Sequence, residues 1–186
     1  MNDETIAIKK VINNNDIMKF TYLAQPPKKY TFEQPKLKLW KESWCQGKVL
    51  NLFCGKTKLN VDEIRVDIDE TMEADYYMEV REFVKKWKGK KFDTVILDPP
   101  YTYRKAKEKY NGNMIGQYPR LKTELLEILS SKARIISLGW DTVGMSKSRG
   151  AEKIAVCVIC HNGDHRDTLC LVEQLIAKSK THGVQK

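Results

Sequence analysis

Hydrophobic positions in this chain gather into short runs that are separated by polar, lysine-rich stretches. Residues 47–55 and 91–98 hold almost continuous apolar runs, which are typical of strands buried on both faces of a parallel sheet. Residues 36–45 place leucine and tryptophan at helical spacing, which predicts a helix. The whole pattern predicts strands at 47–55, 63–69, 74–80, 91–98 and 133–140, and helices at 3–12, 36–45 and 121–131.

The last part of the chain has the pattern of a hairpin. Two strand-like runs at 152–163 and 167–176 are joined by a polar turn. Strands that alternate with helices or long connections indicate a parallel α/β sheet, and the hairpin adds an antiparallel edge. We therefore predict one α/β domain with a mostly parallel seven-stranded sheet closed by an antiparallel hairpin. Its expected parts are an N-terminal extension at 1–46, a core domain at 47–177 and a basic tail at 178–186.

Composition narrows the classes of partner and compartment. The chain has 186 residues and a formal net charge of +9, and a basic surplus favours polyanions such as nucleic acid, although lysine-rich surfaces also serve solubility. No apolar run approaches the ~20 residues of a membrane span, and the N-terminus lacks the apolar core of a secretory signal. We expect a cytoplasmic protein with no membrane partner. The five irregularly spaced cysteines argue for reduced thiols.

The stretch VILDPPY at 95–101 places a carboxylate and two prolines directly after an apolar run. Prolines end a strand and stiffen the turn that follows it. Ligands of open parallel sheets bind beyond the carboxyl ends of the strands, so the residues just after each predicted strand are candidates for a site. A glycine turn and three acidic positions are expected to meet there: Cys54 and Gly55, Asp67 and Asp69, Glu79, and Asp98 with its prolines.

The order NLFCG, VDID, MEV and ILDPPY resembles that of class I S-adenosylmethionine-dependent methyltransferases over roughly residues 30–176. More narrowly, it resembles the DPPY amino-methyltransferases that modify adenine N6 or cytosine N4. The resemblance implies a Rossmann-like methyltransferase fold, a catalytic domain at 47–177 and S-adenosyl-L-methionine as cofactor. A separate target-recognition domain is not expected, so specificity would come from residues 1–46, from the loop at 102–120 or from a protein partner.

The resemblance also assigns cofactor contacts residue by residue. In the family, a phenylalanine-and-glycine turn after the first strand cradles the methionine part of the cofactor. An acid that ends the second strand binds the ribose, and an acid near the third strand meets the adenine amine. A methionine-binding segment precedes the first strand, and residues 30–37 resemble it. Asp67 is preferred to Asp69 because it follows an apolar residue at the strand end. The turn holds a single glycine, and about ten residues join the first two strands, so a helix between them is expected to be very short or absent. The cofactor candidates are Thr31, Gln34, Phe53, Gly55, Asp67 and Glu79.

The chemistry of the DPPY stretch agrees with an amine acceptor. The lone pair of an exocyclic amine is delocalised into its ring, and a site that accepts both N–H bonds frees that lone pair. Asp98 can accept one N–H, and the carbonyl of Pro99 can accept the other. Pro100 stiffens the turn and Tyr101 can stack on the base. Alignment and electrostatics would supply the catalysis, and no metal is required.

Two further segments carry candidate chemistry. Residues 101–120 interleave basic and aromatic side chains, which predicts a substrate loop or lid, or else a lysine-rich surface helix with a glycine-containing loop. Cys157, Cys160 and His161 match the pattern for haem attachment and, with His165, could form a zinc site. Strand alternation favours buried structural cysteines instead. The substrate candidates are Tyr103, Arg104, Lys105 and Tyr110.

Three functions remain open at the level of the sequence. The first is methyl transfer to an exocyclic amine of a DNA or RNA base, with the base flipped out of any duplex. The second keeps the enzyme but changes the acceptor to a protein amide or a small-molecule amine. The third is a non-catalytic binding subunit on the same fold.

Overall fold

The computed structural model describes residues 18–26, 33–99, 118–163 and 166–176. Its central feature is a mixed sheet of eight strands in the order β1-β7-β8-β6-β5-β2-β3-β4. The strands are β1 (Lys19–Ala24), β2 (Val49–Leu52), β3 (Glu63–Asp67), β4 (Tyr76–Tyr77), β5 (Phe92–Leu97), β6 (Leu129–Gly139), β7 (Ala151–Cys160) and β8 (Thr168–Leu175). The helices are α1 (Pro35–Trp44), α2 (Val80–Lys86) and α3 (Tyr118–Glu124).

The sheet confirms the predicted fold class but corrects the number of strands from seven to eight. The additional strand, β1, pairs in parallel with β7 at the edge of the sheet. Its short sequence KFTYLA alternates exposed and half-buried positions and carries no continuous apolar run, so the pattern did not reveal it. β1 and α1 lie within the predicted N-terminal extension at 1–46, and both contribute to the sheet and its core.

Strand direction follows the prediction closely. Parallel pairing joins β1 to β7, β6 to β5, β5 to β2, β2 to β3 and β3 to β4. β8 runs antiparallel to β6 and β7, which forms the predicted closing hairpin. Residues 53–62, all of which the structure describes, join β2 to β3 without a helix, as expected.

Two hydrophobic cores cover the two faces of the sheet. α2 and α3 pack against one face, where Phe83 and Leu121 join Val95 and Leu97 of β5. α1 packs against the other, where Leu37 lies with Ile96. Consecutive residues of β5 therefore point into opposite cores, as expected for a strand buried on both faces.

Several elements begin or end at other residues than predicted. The predicted strand at 74–80 is reduced to Tyr76–Tyr77, because the unpredicted helix α2 begins at Val80. The predicted helix at 121–131 begins at Tyr118 and is followed by a 3-10 turn, and β6 starts at Leu129. The predicted helix at 3–12 lies outside the described residues. Within the described part of the chain, no helix is long and apolar enough to cross a membrane.

Candidate functional site

The carboxyl ends of three neighbouring strands bring the main candidates to one edge of the sheet. Leu52 of β2 lies level with Val66 of β3 on one side and with Leu97 of β5 on the other. The next residues are Phe53, Asp67 and Asp98 respectively. The sheet register therefore sets the predicted cofactor turn between the predicted ribose acid and the predicted catalytic acid.

The turn after β2 has an unusual backbone. Phe53 has a φ of +61° and Gly55 a φ of +59°, so both adopt the left-handed conformation. Glycine tolerates this conformation, but a bulky residue at positive φ is a genuine outlier that is held in place by its surroundings. Here the N–H groups of Phe53 and Cys54 both donate to the Val66 carbonyl, at 2.9 and 3.3 Å.

Asp67 joins this turn to β3. The Gly55 N–H donates to Asp67 Oδ2 at 3.0 Å, and the Asp69 N–H donates to Oδ1 at 3.1 Å. Asp67 is only 1 % exposed. Burial raises the pKa of its carboxyl group, against the opposing effect of these backbone donors. Asp67 thus holds the glycine turn to the end of β3 from a buried position.

Arg65 was not among the predicted site residues. Its side chain holds the connection between β2 and β3 in place. Its guanidinium donates from Nη2 to the Gly55 carbonyl at 2.8 Å and from Nη1 to the Thr57 carbonyl at 2.9 Å. It also forms an ion pair with Glu63 at 3.0 Å and donates from Nε to the Glu73 carbonyl. This buried guanidinium stabilises the loop that a crossover helix would otherwise support. The sequence feature that could have identified this role is an arginine inside a strand-like run.

Glu79 has a different place from the one predicted. It does not end a strand but is the N-cap residue of α2, where its Oε2 accepts from the N–H groups of Arg81 and Glu82 at 2.9 and 3.0 Å. Carboxylates are favoured there because the first N–H groups of a helix have no partner within it. Its predicted contact with the cofactor adenine stays a prediction.

Asp98 and Pro99 follow β5 directly and are half-buried. The charge of Asp98 affects the pKa of one side chain from α3 and of one side chain from α1. Tyr118 of α3 has its pKa raised, chiefly by burial and next by the charge of Asp98. Lys41 of α1 lies on the other side of the sheet, and Asp98 is the strongest charge that favours its protonated form.

The loop after β6 starts at the same edge and continues over the face of the sheet that α3 covers. Glu173 of β8 is buried and accepts from the N–H groups of Met145 and Ser146. Lys122 of α3 donates to the Gly144 carbonyl from the other side. Trp140, directly after β6, remains 37 % exposed and lies under the Arg166 guanidinium at 5.3 Å. Trp140 was not among the predicted site residues, although a tryptophan at the end of the predicted strand 133–140 was a signal for the site edge.

The remaining predicted contacts are only partly described. Gln34 is buried at the N-cap position of α1, and its Oε1 lies 3.5 Å from Gln25 Nε2. Gln34 therefore helps to join α1 to the end of β1. The predicted site residues that lie outside the described part of the chain are Thr31, Pro100, Tyr101, Tyr103, Arg104, Lys105 and Tyr110.

Cys157 and Cys170 pack as parts of strands, and His161 directly follows β7. Cys157 and Cys170 are fully buried opposite each other in the core beneath α1. His161 is buried too, with Nδ1 3.2 Å from the Gln25 carbonyl and Nε2 3.0 Å from the Thr168 hydroxyl. Both ring nitrogens are engaged by the protein. The described residues contain no cluster of three or more metal-ligating side chains, and His165 lies outside them.

Comparison with known proteins identifies the fold. No protein-family model matches the chain, and no curated protein matches it by sequence. The structure is similar to yhhF of Escherichia coli, a protein assigned to the methyltransferases, with a TM-score of 0.56, 12% identity, and coverage of 83% of this chain and 92% of that one.

Two further solved structures agree. One is the 1,6-didemethyltoxoflavin-N1-methyltransferase of Burkholderia thailandensis, solved with S-adenosylhomocysteine (TM-score 0.55, 8% identity, covering 76% of this chain and 77% of that one). The other is a Streptococcus mutans protein assigned as an S-adenosylmethionine-dependent methyltransferase (TM-score 0.50, 15% identity, covering 75% of this chain and 48% of that one). The chain therefore has the Rossmann-like fold of the S-adenosylmethionine-dependent methyltransferases.

Proposed function

We propose that this protein is an S-adenosylmethionine-dependent N-methyltransferase that acts on an exocyclic amine of a nucleic-acid base, of the DPPY type. The observation that carries the proposal is the sheet register that sets Asp98 and Pro99 beside the strained turn at Phe53–Gly55. An amine-binding motif and a cofactor turn at adjacent strand ends are what transfer between two bound molecules requires.

The turn after β2 and its neighbours fit the cofactor. The left-handed backbone at Phe53 is kept at a cost in strain, as is common at binding sites. Asp67 offers a buried carboxylate at the next strand end, suited to a hydroxyl donor. Phe53, Gly55 and Asp67 would hold S-adenosylmethionine, with Thr31, Gln34 and Glu79 as the further predicted contacts. When bound, it supplies a methyl group on a sulfonium.

The chain's own residues would prepare the amine. The Asp98 carboxylate accepts one N–H and the Pro99 carbonyl accepts the other, which turns the nitrogen lone pair out of the ring plane. Pro100 fixes the direction of that carbonyl and Tyr101 stacks on the base. The nitrogen gains a methyl group and releases one proton, for which Asp98 is the nearest acceptor.

Three features support a nucleic-acid acceptor. The net charge of +9 favours binding to phosphates. Tyr103, Arg104, Lys105 and Tyr110 directly follow the DPPY stretch in the sequence. Trp140 presents an exposed indole with Arg166 at 5.3 Å at the same edge of the sheet, and such pairs stack on bases. We propose that these residues bind the strand around the target base, with a protein partner as a further source of specificity.

A parallel methyl-transfer assay tests the proposal. The full chain is incubated with methyl-labelled S-adenosylmethionine and with DNA, RNA and protein fractions, and labelled nucleic acid is digested to nucleosides for chromatography. We expect label in methylated adenine or cytosine. Asp98→Ala should abolish transfer, whereas Glu152→Ala, an exposed change on β7, should leave it intact. Full activity of Asp98→Ala would exclude the mechanism.

The same assay separates the other functions. One structural neighbour is named for an N1-methyltransferase reaction on a small molecule, which keeps a small-molecule amine as the second candidate acceptor. Label confined to small molecules or to protein would favour that class. Absence of transfer, together with no heat on titration with S-adenosylmethionine, would favour a non-catalytic binding subunit.

A further inference from the structure

A buried lysine lies beneath the candidate site. Lys41, in the middle of α1, has no exposed surface, whereas Lys36 on the same helix is exposed and Lys38 is half-exposed. Lysine is rarely buried completely, because removing an ammonium from water is costly unless its surroundings compensate. A fully buried lysine is therefore expected to have a role.

The direction of α1 aims Lys41 at the candidate site. Near the start of the helix, the Lys36 N–H donates to Gln25 Oε1 at 3.1 Å, just beyond the end of β1. At its end, the Trp44 carbonyl accepts from Arg134, whose partner in the sheet is Thr94 near the start of β5. α1 thus runs against the parallel strands, with its first turn at their carboxyl ends. Side chains lean towards the first turn of their helix, so Lys41 extends towards those strand ends.

The packing of the two elements completes the geometry. Leu37, one helical turn before Lys41, packs in the same core as Ile96 of β5. Asp98 follows Ile96 by two residues, and alternation along an extended chain directs it to the α1 face. The buried ammonium and the candidate catalytic carboxylate therefore approach each other across the interface between α1 and β5.

The charges around Lys41 agree with this geometry. Burial lowers the pKa of Lys41 to about 8, and the groups that oppose this shift are, in order, Asp98, Cys170, Cys45 and Glu63. They come from the end of β5, from β8, from the residue that follows α1 and from β3. Asp98 has the largest effect of these groups on the pKa of Lys41. Glu63 is also a carboxylate, but it is already paired with Arg65.

We propose that Lys41 is a positioning residue for Asp98: its ammonium holds the carboxylate turned towards the substrate amine. Held in this orientation, the carboxylate presents an acceptor oxygen to an N–H of the amine. This role rests on the proposed function, but the pairing of the two side chains is testable without any substrate.

The first test is an NMR titration of the lysine side chains in the full chain. The Lys41 signal is assigned by its loss in Lys41→Met. We expect it to titrate near pH 8 in the unaltered protein, and about 1 pH unit lower in Asp98→Asn, which removes the largest favourable charge. Asp141→Asn is the matched control, since this exposed carboxylate lies at the same edge but does not act on Lys41. An unchanged midpoint in Asp98→Asn would overturn the pairing, whether or not the protein transfers methyl groups.

The second test is kinetic and uses the acceptor found in the methyl-transfer assay. We expect Lys41→Met to keep its thermal stability and its affinity for S-adenosylmethionine and to lose kcat on the order of 10- to 100-fold. In the unaltered chain kcat should fall as the pH rises through about 8 and Lys41 loses its proton, and Lys41→Met should lack this fall. Lys38→Met serves as control on the same helix. Normal kcat and pH profile in Lys41→Met would overturn the positioning role while leaving the proposed function intact.

Discussion

The N–H of Gly55 donates to Asp67 Oδ2 at 3.0 Å and thereby joins the turn after β2 to the end of β3. A single bond thus connects the only glycine of the predicted cofactor turn with the predicted ribose acid. The two residues are 12 positions apart in sequence, and parallel pairing of β2 with β3 brings them together. Five predictions concern this site and the contacts around it.

Asp67→Asn should weaken both the fold and the cofactor site. The asparagine has one acceptor oxygen for two backbone donors, so one buried N–H loses its partner at a cost of about 1–3 kcal/mol. Chemical unfolding measures this loss, and calorimetry with S-adenosylmethionine should show at least about tenfold weaker binding. The exposed change Asp62→Asn is the control. Unaltered stability and affinity in Asp67→Asn would contradict the assigned role.

The same variant should change the pH dependence of stability. Because burial raises the pKa of Asp67, the folded state holds its proton more strongly than the unfolded state does. The free energy of unfolding therefore loses this contribution as the pH rises from the ordinary value of 3.8 through the raised pKa. Unfolding curves across this range should show a smaller decline in Asp67→Asn than in the unaltered protein.

Arg65→Met should destabilise the connection between β2 and β3 strongly. It leaves the buried Glu63 carboxylate without its cation and deprives the Gly55 and Thr57 carbonyls of donors. Breaking a buried ion pair in this way costs about 3–5 kcal/mol, or about 6–20 °C in melting temperature for a domain of this size. Calorimetric melting measures the change, with the exposed Lys56→Met as control. A melting temperature within a degree or two of the unaltered value would refute this role of Arg65.

Glu173→Gln should loosen the loop after β6 without unfolding the sheet. The glutamine replaces one of the two acceptor oxygens that hold the Met145 and Ser146 N–H groups by an amide nitrogen. We expect hydrogen exchange at these two amides to accelerate, while amides of β6 and β8 keep their protection. Glu152→Gln on the exposed side of β7 provides the comparison. Equal exchange in the two variants would argue against this role of Glu173.

The ion pair between α2 and α3 should contribute to stability above the acid range. Arg81 donates to both carboxylate oxygens of Glu124 at 2.8 Å, and this pairing lowers the pKa of Glu124. The contribution is complete above the ordinary value of 4.5 and is lost as the pH falls through the lowered pKa. Arg81→Gln should therefore be less stable than the unaltered chain at neutral pH and approach it in acid. Lys86→Gln, at a more exposed pair, should show little change at either pH.

Continuous apolar runs were sufficient to predict β2 and β5, because a strand buried on both faces needs apolar residues at nearly every position. The pattern of apolar residues did not predict α2. Its seven residues bury Val80, Phe83 and Val84 at helical spacing behind the capping Glu79, but the preceding tyrosines continued the pattern of a strand. Local propensity was ambiguous there, and packing against the sheet decided it.

The sequence alone determined the α/β class, the closing hairpin and the identity of Asp98 and Pro99 as the residues that follow β5, since these depend on local patterning and on proline. Only the tertiary structure showed that Arg65 holds the glycine turn in place, that Glu79 caps α2 and that Lys41 is completely buried. Charged residues have the same local preferences on a surface and in a core. Their roles depend on which partners the fold brings within reach, and those partners lie on other strands and helices.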